Sequence, residues 1–475
     1  MRQREKQLHD TLRGWKRYLK SKNRKLRIKR KLSGLNRHQS NVRKYAIKIG
    51  RIYKPPKLKP VLRKLPPKPD FPDNIKFLAS VPESFSRNHY SDDDDGKFFI
   101  PECFSLIENY EKSFDFLKRL FVVLYKAKVD KVILDYSKCK RIDVDASICM
   151  DMMLVDFIYY LNQCRKIGHA VIPGGIHPIH FERDDIMKVL FSIGAYRNLK
   201  GLTIDYKGVE ALPVLINSKK YPNIWEISEV HQTQIVEYIK KCLQHFDREL
   251  TIEAESEFYK VIGEVMSNAE EHATMPHRYA IGLFQEIHNT EGDFGIFNFS
   301  IFNFGNTIYQ TFKSPDCLNK KAVAQMVALS EDYTKKGLFT KAEFEEETLW
   351  TLYALQEGVT SKDKKRGNGA IQFIENFFKL KGDTENDNIS KLAIVSGNTR
   401  ILFDGTYKVT EKPNIIKGKK PYKMITFNKS GDITDKPDKT FVNFAPHFFP
   451  GTLISARILI KFKNTNTETD GQQGV

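Results

Sequence analysis

The sequence predicts an α/β chain with more than one domain, on three observations. Between positions 132 and 172 an apolar strand, a turn, a long apolar helix and a second strand follow one another. Beyond position 258, amphipathic helices alternate with buried-type strands. The length of 475 residues with 41% hydrophobic content suffices for two or three cores.

In the first of these regions Val132 to Tyr136 reads as a short buried strand and Ile142 to Ser147 as a turn into a helix. Ile148 to Cys164 is an apolar helical run that ends near Gly168, and Ala170 to Ile172 reads as the second strand, before a Pro-Gly-Gly turn. Strand, helix and strand in that order predict parallel pairing. Asp143, Asp145 and Ser147 suit the helix start, where the dipole favours acids and capping groups.

In the second region Phe258, Val261, Ile262, Val265, Met266 and Ala269 form the apolar stripe of a helix. Glu264, Asn268 and His272 stand four residues apart beside it, each turned only about 40° from the last. A carboxylate, an amide and an imidazole on one edge could hold a metal-bound phosphate, whereas the plainer reading is a solvated edge. Ile296 to Phe302 is a strand of β-branched and aromatic residues leading into Asn303, Gly305, Asn306 and Thr307. Arg366, Gly367, Asn368 and Gly369 open an apolar helical stretch from Ala370 to Leu380, where glycines let backbone N–H groups approach an anion. Gly451 to Ile460 is a further strand.

That order of motifs resembles the GHKL ATPase superfamily, over roughly residues 215 to 465. The resemblance implies a two-layer α/β sandwich, its mixed, mainly antiparallel sheet backed by helices, with ATP and Mg²⁺ bound between them. By motif, Glu264 corresponds to the water-activating glutamate and Asn268 to the magnesium ligand. Asn303 stands where the family has the aspartate that receives the adenine amino group, followed by Gly305 and Asn306. Arg366, Gly367, Asn368 and Gly369 match the phosphate-wrapping loop, and Thr452 the threonine that reaches adenine through water. The substitution of aspartate by Asn303 keeps an acceptor but removes its charge. The long, helical-patterned segment from Ile308 to Lys365 is expected to form an enlarged lid. The upstream region resembles a STAS domain, in which Ser147 would be the phosphorylatable serine.

The chemistry can be reasoned independently of the family. A carboxylate such as Glu264 can orient and deprotonate water, and an amide oxygen such as that of Asn268 suits the hard Mg²⁺ ion. Lys364, Lys365 and Arg366 could neutralise phosphate charge. The expected function is an ATP-binding, ATP-hydrolysing molecular switch. A serine or histidine protein kinase and a non-hydrolysing nucleotide-binding module stand as alternatives.

The net charge of +19 is confined to one end: residues 1–69 hold 25 Lys plus Arg against Glu5 and Asp10, and the remainder carries a net −4. Leu8, Leu12, Trp15 and Leu19 recur at helical spacing among the basic residues, and a dense cationic run follows from Lys22 to Lys31. Such an arm, residues 1–54, is expected to bind DNA or RNA. A membrane surface and docking on the chain's own body are the other readings. Seven prolines between Lys54 and Pro72 form an extended spacer, assigned to residues 55–75. The STAS-like domain is assigned to residues 76–215, the ATP-binding domain to 216–465 and a disordered tail to 466–475. Asp92 to Asp95 reads as a solvated acidic loop.

No apolar run approaches the length of a membrane span, and the six cysteines are scattered without metal or disulfide spacing. A cytoplasmic location is expected. A homodimer and a protein partner for the STAS-like domain are further expectations.

Overall fold

The computed structural model describes residues 20–21, 24, 66–81, 96–126, 129–171, 173–193, 206–272, 274–289, 292–334, 343–362, 369–381, 387–413 and 421–461. Residues 1–65 form a unit of their own, of which Lys20, Ser21 and Arg24 are described, as exposed helical residues. The rest of the predicted arm, the proline spacer before position 66, the acidic loop at 92–95 and the tail at 466–475 lie outside the described residues. No helix among the described residues is long and apolar enough to cross a membrane.

The second unit opens with helix α1 (Asp73–Ser80), strands β1 (Lys97–Phe99) and β2 (Cys103–Phe104), and helix α2 (Tyr110–Lys126). Strands β3 (Val132–Asp135) and β4 (Arg141–Ile142), helix α3 (Val144–Lys166), strand β5 (Ile176–Ile179) and helix α4 (Asp184–Ile193) follow. A three-stranded sheet in the order β1-β3-β5 is parallel throughout, as the intervening helices α2 and α3 require: parallel neighbours need a crossover connection. Strands β2 and β4 form a separate short parallel pair.

One strand is displaced from its predicted place. Ala170 and Val171 are outside regular structure, and the second strand is β5, after the Pro-Gly-Gly turn. The helix before it ends in a glycine cap, with Gly168 at φ +85° and the His169 N–H donating to the Cys164 carbonyl at 3.0 Å. The chain regains the sheet only at the glycines, where Gly174 N–H donates to Asp130 O and Val132 N–H to Gly175 O.

The remainder is built on a five-stranded sheet in the order β6-β7-β8-β12-β9. Its strands are β6 (Val209–Ser218), β7 (His277–Asn289), β8 (Gly292–Phe304), β9 (Lys391–Phe403) and β12 (Val442–Ile460). Every pairing in it is antiparallel, so parallel strands belong to the smaller sheets alone. A short ribbon of β10 (Thr410–Lys412) and β11 (Tyr422–Met424) stands apart. Strand β6 crosses position 215, so this sheet begins within the segment assigned to the upstream domain.

Helices α5 (Ile224–Gln244), α6 (Ile252–His272) and α10 (Gly369–Lys379) cover one face of the large sheet. There Ile239, Val261, Met266, Ile374 and Phe377 pack on Ala280, Phe297, Phe299 and Ile301. On the other face Tyr279, Ile281, Leu283, Phe302, Phe304 and Leu453 share a core with Phe114, Met150, Phe157 and Leu190 of the upstream part. The sheet is thus the middle layer of three rather than one of two. Each large side chain buried this way contributes about 1.5–3 kcal/mol. Burial on both faces explains why β8 reads as a nearly unbroken apolar run.

Between the two glycine motifs lie helices α7 (Ile308–Lys313), α8 (Lys320–Thr334) and α9 (Glu346–Ala354). The segment is helical as expected, but it does not form a separate flap. Leu349, Trp350 and Leu352 of α9 are buried in the core beneath it, with Met326 of α8. Helix α7 starts on a capping box, in which Thr307 Oγ1 accepts from the Gln310 N–H while Gln310 Oε1 accepts from the Thr307 N–H.

Candidate functional site

A cleft of about 130 Å³ opens between the helical layer and the large sheet. Asn268 of α6, Asn303 of β8, Asn306 before α7 and Thr452 of β12 all line it. Its apolar walls come from Val265, Ala269, Ile301, Leu355, Ile394 and Ile454. Four of the residues picked out in the sequence, drawn from segments almost 200 positions apart, therefore meet in one place.

The floor of this region is a polar row crossing all five strands. Asn217 is paired with Arg278, Arg278 with Asn303, Asn303 with Thr452, and Thr452 with Ser396. Directly opposed residues of antiparallel strands point to the same face, here the helical face that also carries Ile301 and Ile454. Asn303 is only 3% exposed, and its side-chain amide makes no hydrogen bond with any described residue. The amide lines the cleft, where it is available to a ligand.

Thr452 is oriented by a serine that sequence reasoning did not identify. Ser396 Oγ lies 3.0 Å from Gly451 O, 2.9 Å from Ile308 N and 2.9 Å from Thr452 Oγ1. A hydroxyl has one proton, and a carbonyl can only accept. Ser396 therefore donates to Gly451 O and accepts from both the Ile308 N–H and the Thr452 hydroxyl. Thr452 Oγ1 is left with lone pairs for the cleft.

Gly451, at φ +149°, has a backbone conformation that side chains rarely adopt. It follows Pro450, whose carbonyl accepts from the Gly305 N–H at 3.0 Å. Gly305 itself has φ +132°. Two of the motif glycines thus hold β8 and β12 together next to Asn303 and Thr452.

Glu264 lies one helical turn before Asn268, at the start of α10. A β-carbon added to Gly369 would come within 2.8 Å of Glu264 Cδ, so the glycine admits the carboxylate to the positive end of that helix. Arg366, Gly367 and Asn368, together with Lys364 and Lys365, lie outside the described residues. His272 ends α6, and its side chain is likewise outside the description.

Beside the cleft, the row continues into a buried ion pair. Arg278, wholly buried, donates through Nε to Glu270 Oε1 at 2.9 Å. Glu270 Oε1 also accepts from Asn217 Nδ2 at 2.9 Å and Ser228 Oγ at 3.2 Å. His231 Nδ1 stands 3.1 Å from Arg278 Nη2. Burial, and then the neighbouring guanidinium, lower the His231 pKa to about 4, so the neutral ring accepts this hydrogen bond. Nothing in the local sequence distinguishes Ser396 or Arg278 from ordinary strand residues; their importance comes from register.

In the upstream part Ser147 is fully buried and its Oγ has no partner among the described residues. An enzyme cannot reach it in this conformation. Asp143 begins α3 without a side-chain cap bond. Asp145 is also fully buried, accepting from the Ile107 N–H at 3.0 Å. Burial, and then the neighbouring Asp143, push its pKa up to about 7. Glu108 joins this region to the large sheet through Lys391 Nζ at 2.9 Å, with Arg457 and Arg141 each at 3.9 Å.

No protein-family model matches the chain, and no curated protein or solved structure matches it.

Proposed function

We propose that the cleft binds ATP with Mg²⁺ and that the nucleotide is hydrolysed there, so that the chain acts as a nucleotide-dependent switch of the GHKL type. The observation carrying this reading is the amide of Asn303, which makes no hydrogen bond to a described residue, in a cleft shared with Asn268, Asn306 and Thr452.

The residues present fit such a ligand. Aliphatic walls with polar groups at one end suit an uncharged heteroaromatic ring. No charged side chain lines the cleft among the described residues, which favours the base here and the phosphates toward Gly369 and the basic residues that precede it. The cleft, at about 130 Å³, is smaller than the roughly 300 Å³ of small ligand sites, so a bound nucleotide would extend beyond it. Mg²⁺, when bound, would neutralise phosphate charge, with Asn268 supplying an oxygen ligand. Glu264 would take the proton of the attacking water.

The test is nucleotide binding by the full chain and its Asn268→Ala variant, each with and without Mg²⁺. The reading expects metal-dependent binding by the wild type that the variant loses. Equal, metal-independent binding by both would contradict it.

A second reading, a nucleotide module without hydrolysis, is favoured by Asn303 in place of an acid and by Glu264 lying against a helix start. It prevails if nucleotide binds but is not turned over. A kinase acting on its own Ser147 is disfavoured by that residue's burial. The basic arm, residues 1–54, is proposed to bring the chain to DNA or RNA within the cytoplasm; its deletion should abolish nucleic-acid binding. Homodimerisation and a protein partner for the STAS-like part remain proposals of the same kind.

A further inference from the structure

Resting on the nucleotide reading above, we propose that this site accepts 6-oxopurine nucleotides as well as 6-aminopurine ones, because Asn303 can present either face of its amide to the ring.

Asn303 lines the cleft together with Ile301 and with Thr452, its partner on the neighbouring strand, and in the nucleotide reading it meets position 6 of a purine ring. At ring position 6 adenine carries an amino group, a donor, whereas hypoxanthine and guanine carry an oxygen, an acceptor. A carboxylate can only accept, so it would reject the oxygen. An amide has an accepting oxygen and a donating NH₂ at nearly the same distance from its backbone. Which of them faces the cleft is set by the amide's other hydrogen bonds, and Asn303 makes none to a described residue. Rotation by half a turn about the side-chain bond therefore exchanges donor for acceptor without breaking a hydrogen bond to a described residue. Thr452, whose hydroxyl proton is held by Ser396, does not impose the choice at this position either.

Sites that discriminate strongly between hydrogen-bonding groups do so by leaving a buried partner unpaired when the wrong ligand binds. Here the partner adapts, and the discrimination disappears.

The experiment measures binding of ATP and of inosine triphosphate, which replaces the 6-amino group with oxygen, by the full chain with Mg²⁺. CTP serves as the pyrimidine control. The wild type is expected to bind ATP and inosine triphosphate within about threefold of each other, both more tightly than CTP. Asn303→Asp is expected to keep ATP binding while weakening inosine triphosphate about tenfold or more. Because a buried charge could unfold that variant, Asn303→Thr is a second probe; by removing the amide it should weaken both purines alike. A wild-type preference for ATP of about a hundredfold would overturn the inference while leaving the nucleotide reading intact. So would retained inosine triphosphate binding by a folded Asn303→Asp protein. If none of the three nucleotides binds, the nucleotide reading itself falls and takes this inference with it.

Discussion

The backbone carbonyl of Asn303 lies where a side chain on Gly451 would have to go: a β-carbon there would stand 2.0 Å from that oxygen. The two strands that carry Asn303 and Thr452 into the cleft approach this closely because position 451 has no side chain. Gly451→Ala should therefore destabilise the protein by on the order of 2 kcal/mol or more, through the clash and through φ +149°. Denaturant unfolding checks this, and an unchanged midpoint would contradict it.

Glu264→Gln keeps the size and the hydrogen-bonding reach of the side chain but not its basicity. Nucleotide hydrolysis should fall by about 10²–10⁴-fold while nucleotide affinity changes by less than about threefold. A parallel loss of binding would mean that the carboxylate's main task is to cap α10.

Ser396→Ala removes the group that fixes the Thr452 hydroxyl and satisfies the Ile308 N–H. A cost of about 1–3 kcal/mol in unfolding free energy is expected, together with weaker nucleotide binding. Thr452→Val should reproduce the binding defect with a smaller loss of stability, and titration of ATP into both variants tests the comparison.

Asp145 gives a pH signature of known sign. Its folded pKa of about 7 lies above the usual carboxylate value, so between the two the folded state holds a proton that the unfolded state has released. Stability due to this group must then fall as pH rises from about 4 to about 7 and level off above, with a slope approaching about 1.4 kcal/mol per unit. His231, lowered to about 4 by burial and Arg278, acts in the opposite sense. Only the difference between wild type and Asp145→Asn isolates the effect. The stability of the wild type relative to Asp145→Asn should fall across pH 5 to 7; identical slopes would show that Asp145 stays ionised in the fold beside Asp143, Arg141 and Arg400.

Much of the candidate site was legible because its residues sit on regular elements. The four-residue spacing of Glu264 and Asn268 needs only a helix, and the Asn303 and Thr452 strands announced themselves by composition. Ser396 and Arg278 were not legible, because their roles depend on which strands are neighbours and in what register. Long-range pairing leaves no local trace. The strand expected at 170–172 failed for a local reason: the glycine cap at Gly168 and the glycines at 174 and 175 delay return to the sheet. The segment from 308 to 365 showed its helices in the sequence but not its burial, since Trp350 reads the same in a flap as in a core.

The large sheet carries a core on each of its faces, and this limits how the protein can be divided. Cutting the chain before β6 would bare Tyr279, Ile281, Phe302, Phe304 and Leu453 as one continuous apolar area. Such an area promotes self-association, and the excised C-terminal part should precipitate or form aggregates instead of behaving as an autonomous domain. The upstream part is thus a structural cover for that face of the sheet.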